Sequence, residues 1–226
     1  MKIRINGCDN DLKIYEQSIS VIQVKDIKLF RKILDNINQK INEIENNDIF
    51  ILDDKEGEIS FSKEVFILFD LFNIDFSSKK ILTKMYNKIQ DSLNQDEEIE
   101  FADKLVEVRS VLVRHANELP FNYKIKEEIK LVDVLKLFEF KIDEQSYQSI
   151  LEKLELFIDI LSTLNISRFL IIPNLKDYLI EEEIIYLYKY SLYNNINLII
   201  IQNDEKKKLE YERKLIIDEN FIDFID

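Results

Sequence analysis

The chain has 226 residues, 46% of them hydrophobic and 33% charged, enough to bury a sizeable core beneath a solvated surface. Its net charge of −13 argues against a broadly basic nucleic-acid surface, although 31 Lys and Arg leave room for a local basic patch. No apolar run approaches the ~18 residues of a membrane span, none at the start reads as a signal sequence, and the lone Cys8 excludes an internal disulfide, so a cytoplasmic protein without a membrane partner is expected.

KIRI (Lys2–Ile5) and SVIQV (Ser20–Val24) read as short strands, with a turn at Gly7 and Asn10. Ile27, Phe30, Leu34, Ile37, Ile41 and Ile44 then recur at spacings of three and four, one face of a helix. IFIL (Ile49–Leu52) reads as a buried strand and DDKEGE as the turn after it. Val65–Leu71 is nearly all apolar, and periodicity leaves helix and strand both open.

Four helices are expected next. Ser77 and Ser78 are candidate N-caps for a helix that turns Ile81, Leu82, Met85 and Ile89 inward. NQDEEIE opens a second helix with Ala102, Leu105, Leu112 and Ala116 on one side, and Pro120 ends it. Leu131, Val134, Leu135 and Phe138 mark a third; Ile150, Leu154, Phe157, Ile158 and Leu161 mark a fourth. FLII (Phe169–Ile172) and LIII (Leu198–Ile201) are continuous apolar runs, as strands covered on both faces are, with a helix through Ile184, Leu187, Tyr188 and Ser191 between them. The end, KLIIDENFIDFID, reads as one last strand and a short tail. The pattern predicts an α/β body, built from residues 1–62 and 142–226, with a helical insertion at residues 63–141.

Chemical signatures are sparse. With only Gly7 and Gly57, neither a phosphate loop nor a G-x-G-x-x-G turn can form, so no nucleotide is expected. Asn174, Asn203 and Asp204 end buried strands, where a crevice could lie, but such residues are more often turn formers. His115 is the sole histidine and has no evident nucleophile to serve, and Cys8 has no CxxC partner. Nothing supports catalysis. Two basic features stand out: Lys80, Lys84 and Lys88 at helical spacing beside Lys79, and Lys124, Lys126 and Lys130 after Pro120. Such stripes can contact phosphates without reading bases; they can equally be solvated helix faces.

Several stretches together resemble one family, the small accessory protein of type II-A CRISPR spacer acquisition. They are FDLFNIDFSSKKILTKMYNKIQDSL (Phe69–Leu93), NEL (Asn117–Leu119), ILEKLELFIDIL (Ile150–Leu161) followed by FLIIPN, and LIIDENFIDFI near the end. The resemblance covers nearly the whole chain but rests on apolar patterns. It implies an α/β fold with a mostly parallel sheet, a head like a degenerate P-loop kinase core, and an inserted all-helical leg. It also implies a homotetrameric ring that binds double-stranded DNA ends without sequence preference and works with the CRISPR integrase pair and RNA-guided nuclease, without being an enzyme. On this resemblance the seven lysines above become DNA contacts. Calcium is implied too, with Glu118, Asn122, Glu128 and Asp133 as its candidate ligands. Pro120 and Lys124 stand where the family pattern has acids, so the expectation is a weak calcium site or one replaced by lysine–carboxylate pairs between subunits. Two other readings stay open: a degenerate nucleotide-binding protein with residual phosphoryl transfer, and an acidic module whose helical arm binds a protein partner.

Overall fold

A computed structural model describes residues 1–143 and 147–226. The chain forms two compact units, Met1–Phe76 with Glu144–Asp226, and Ser77–Asp143.

The first unit opens with strands β1 (Lys2–Ile5), β2 (Leu12–Lys13) and β3 (Ile19–Val24), then helix α1 (Ile27–Ile41) and strand β4 (Ile49–Leu52). Asp26 caps α1, its carboxylate accepting the Leu29 N–H at 2.7 Å. The helix stops short of the expected Ile44: Glu43 takes a positive φ of 61°, and Ile44 is exposed. A short helix α2 (Phe61–Glu64) runs straight into strand β5 (Val65–Ile67). That resolves the ambiguous apolar run: Val65–Ile67 pairs in parallel with β6 (Phe169–Pro173), so this stretch belongs to the sheet. Residues 63–76, which the sequence pattern assigns to the insertion, lie in the first unit for that reason.

The second unit holds helices α3 (Lys79–Ser92), α4 (Gln95–Ala116) and α5 (Leu131–Leu137). Back in the first unit come α6 (Ile150–Thr163), β6, a 3-10 turn at Leu175–Asp177, α7 (Glu181–Tyr193), β7 (Asn197–Gln202), β8 (Glu212–Ile217) and β9 (Asp223–Ile225). The expected last strand and tail are two antiparallel strands, because Asp218 closes a tight turn and sends the chain back along β8.

Two sheets result. One is small and antiparallel, ordered β2-β1-β4; the other has six strands, β5-β6-β7-β3-β8-β9, parallel except for β9. The fold is therefore α/β with a mixed, mostly parallel sheet. Small sheet, α1 and one face of the large sheet enclose an apolar core of Ile3, Ile51, Ile37, Ile22, Ile201 and neighbouring residues. Strand alternation sends Leu170, Ile172, Leu198 and Ile200 to the other face, and all four are buried. There α6 buries Phe157, whose ring meets Phe66 at 5.0 Å and Phe76 at 6.1 Å, edge to face.

The second unit is different. Only Ile81 and Tyr86, both on α3, are buried apolar residues among the described ones there. Tyr86 donates its hydroxyl hydrogen to the Phe140 carbonyl at 2.8 Å. Helix α4 starts with a capping box between Asn94 and Glu97 yet buries nothing. Its expected inner face packs only in part: Leu105 and Ala116 are partly buried, while Leu112 is 57% exposed and Ala102 is exposed. Phe138, expected on the inner side of α5, is 75% exposed.

Candidate nucleic-acid interface

Charge divides as unevenly as burial. Ser77–Asp143 holds 12 of the 31 Lys and Arg and 13 of the 44 Asp and Glu, a net of −1, so the other unit carries −12. A polyanion would be repelled by the first unit and tolerated by the second.

On α3 Ile81 and Tyr86 are buried, whereas Lys79, Lys84 and Lys88 are exposed. Lys80 sits at the margin: it is half-buried, and desolvation, with Lys84 beside it, lowers its ammonium pKa below the ordinary lysine value. The exposed stripe is thus formed by Lys84 and Lys88, one turn apart, with Lys79 exposed at the start of the helix. Lys124, Lys126 and Lys130 are exposed on the loop between α4 and α5. That loop is tied down by Arg109, which donates to the Glu127 carbonyl at 2.7 Å, and by Tyr123, whose hydroxyl donates to Asn117 Oδ1 at 2.6 Å. The sequence pattern gave no sign of Arg109, because its partner is a backbone carbonyl 18 residues away.

Of the candidate calcium ligands, Asp133 is already engaged. Its carboxylate accepts from Lys126 Nζ at 2.5 Å and from the Lys130 N–H at 3.0 Å. Lys126, followed by that amide, holds the acid below the usual carboxylate range. Glu118, Asn122 and Glu128 are exposed, and among the described residues no three His, Cys, Asp or Glu converge to hold a metal. A lysine–carboxylate pair does occur in this loop, but it joins residues of the same chain.

The crevice at the C-terminal ends of the parallel strands is filled by the protein itself. Asn174, at a φ of 51°, accepts the Asn203 N–H on its Oδ1 at 3.0 Å, and Asn203 donates its side-chain amide to the Val24 carbonyl at 3.1 Å. These residues are turn formers that satisfy one another. The connection from β7 to β8 lacks the usual crossover helix. Two buried lysines hold it: Lys214 donates to the Lys206 carbonyl at 2.6 Å and to Gln23 Oε1 at 2.9 Å, and Lys176 donates to the Lys207 carbonyl at 3.0 Å. Lys176 also pairs with Glu212 at 2.6 Å, and Tyr188 donates to the same carboxylate. Burial lowers the Lys214 pKa from its ordinary value.

A cleft of about 460 Å³ lined by Lys63, Asn165, Asn195 and an Arg168 already paired with Glu64 faces the C-terminal ends of α6 and α7, whose carbonyl poles disfavour anions. Burial, aided by Asp223, pushes the Cys8 thiol up to about 11, which leaves it unreactive at neutral pH. His115 is exposed at the end of α4. No helix among the described residues is long and apolar enough to cross a membrane.

Comparison with known proteins agrees with this architecture. The profile of a family described as CRISPR-associated protein (Cas_Csn2) matches residues 42–221. The CRISPR-associated protein Csn2 of Enterococcus faecalis is 23% identical over 223 residues, covering 98% of this chain and 97% of that protein. The crystal structure of Stu0660 of Streptococcus thermophilus superposes with a TM-score of 0.63 at 15% identity, over 96% of this chain and 75% of that one.

Proposed function

The chain belongs to the CRISPR-associated Csn2 family, and from that premise we propose that it is a non-enzymatic protein of spacer acquisition whose copies close into a homotetrameric ring around the ends of linear double-stranded DNA. One observation carries the reading: the unit with the lysine stripes is nearly neutral and leaves many of its apolar side chains exposed. Ile99, Val106, Val108, Val111 and Leu112 on α4, with Leu137 and Phe138 at the end of α5, are each at least half exposed. So much apolar surface favours association, and further copies of the same chain are the simplest cover. The number four comes from the resemblance.

DNA contact is assigned to Lys79, Lys84, Lys88, Lys124 and Lys130, with Lys80 and Lys126 in secondary roles. Exposed lysines suit recognition of phosphate without reading of bases. The head reads as a P-loop kinase core whose nucleotide crevice has been filled. The ring acts in the cytoplasm with the integrase pair and the RNA-guided nuclease. Assembly needs no calcium, because Lys126 occupies Asp133.

A gel-shift comparison of linear and covalently closed circular duplex tests the reading. Retardation of the linear form alone, weakening steeply as salt rises, is the expected result. Equal retardation of both forms, or of neither, would remove it.

A further inference from the structure

At the outer end of the large sheet, β9 and the turn before it carry apolar side chains that the described chain leaves largely exposed, beside a partly buried Ile216 on β8. Strand alternation and register put Ile216, Ile222 and Phe224 on one face, with Ile216 directly opposite Phe224. Ile222 is 62% exposed and Phe224 48%. Phe221, in the turn beside them, is 57% exposed.

This end of the sheet is fixed in place. The Asp218 carboxylate accepts the Asn220 N–H at 2.8 Å and the Ile222 N–H at 2.9 Å, while the Asp218 N–H donates to the Ile222 carbonyl at 3.0 Å. Asp223 accepts the N–H groups of Asp9 at 2.8 Å and Asn10 at 2.9 Å, so β9 is clipped to the loop after β1. Within the turn Phe221 takes a φ of 63°. A bulky residue in the left-handed region is strained, and here burial of the ring does not offset it. A strained, solvent-facing aromatic beside an exposed apolar strip marks a contact surface.

Charge decides what can sit there. Asp218 and Glu219 lie in the turn beside the strip and Asp226 follows β9 opposite the buried Lys214, while Lys25 and Lys208 are paired with Glu205 at 3.0 Å and Asp226 at 3.4 Å. DNA would be repelled, and a second copy would set acid against acid. We propose that the β8–β9 face docks a partner protein through an apolar segment flanked by Lys or Arg. Apolar side chains would cover Ile222 and Phe224 while the flanking cations meet the acidic rim. This surface lies outside the unit assigned to DNA, and its occupation does not depend on that assignment.

The test uses the full chain and a labelled ten-residue peptide of alternating Val and Lys, with Ser/Lys and Val/Glu peptides as controls. The Val/Lys peptide is expected to bind at least about tenfold more tightly than either control and to slow amide exchange across residues 216–226. Phe224→Ser and, independently, the turn variant Ile222→Ser should each lower that affinity several-fold without changing the mass of the assembly. Equal binding of the Ser/Lys peptide would reduce the effect to bulk charge and overturn the proposal. Unchanged affinity in both variants would do the same, and a changed assembly mass would show a second copy seated on this face instead.

Discussion

The two units of this chain use apolar residues in opposite ways. In the first, Ile, Leu and Phe are sealed between two sheets and three helices, and a charge of −12 lies around them. The second has 67 residues from Ser77 to Asp143, two buried apolar side chains and a charge of −1. A unit of that size cannot offset its chain entropy with two buried residues. In the proposed reading, other copies of the chain cover α4 and the end of α5, so that the first unit serves as a scaffold and the second as an interface.

The largest effect that could sharpen this contrast is in the scaffold. Phe157→Ala removes a fully buried ring between Phe66 and Phe76 and should cost about 3–5 kcal/mol in a denaturant melt. A loss below 1 kcal/mol would mean the packing around α6 is loose.

Charge reversal in the second unit should instead spare the fold and strike binding. Lys84→Glu with Lys88→Glu is expected to lower affinity for linear duplex by about ten- to a hundredfold near 0.1 M salt and to flatten the log–log salt slope by about two. Far-ultraviolet circular dichroism should not change. Unaltered affinity would place the α3 stripe away from DNA.

A smaller effect sits in the first unit, where Asp11 takes a bidentate contact from Arg4 at 3.0 and 2.8 Å and a further one from Lys2. Arg4, then Lys2, holds this acid at about 2, below its unfolded value of 3.8. Its contribution is therefore fully present above pH 3.8 and is lost as pH falls through about 2. Asp11→Asn should destabilise by about 1 kcal/mol at pH 7, after allowance for solvent screening, and by almost nothing near pH 2. A pH-independent difference between variant and parent would contradict this. Smallest of all, Leu112→Ser on the exposed side of α4 should shift the melt of dissociated chains by no more than about 0.5 kcal/mol while weakening their assembly.

How much of this the sequence revealed depends on which contacts lie inside one chain. Strands Lys2–Ile5 and Ile49–Leu52 and the helix through Phe30 and Ile37 follow their periodicity, because each packs on elements of the same unit. Periodicity also marked Leu105, Leu112 and Ala116 as one side of a helix, correctly as a pattern, but a pattern cannot say whether the cover comes from this chain. β9 was missed because FIDFID shows strand alternation only once Asp218 is known to close the turn. The buried Lys176 and Lys214 were invisible for a different reason: lysine reads as surface, and here two of them hold an irregular crossover by its carbonyls. The lysine stripe was legible as spacing. That Lys80 is half-buried and Lys126 is joined to Asp133 needed the fold.

The central claim is that the helical unit is completed by other copies, and solution mass tests it most directly. Light scattering at micromolar concentration, once with calcium and once with chelator, should give four times the 27.1 kDa of one chain in both buffers. A mass of 27.1 kDa in both would leave α4 uncovered and contradict the account.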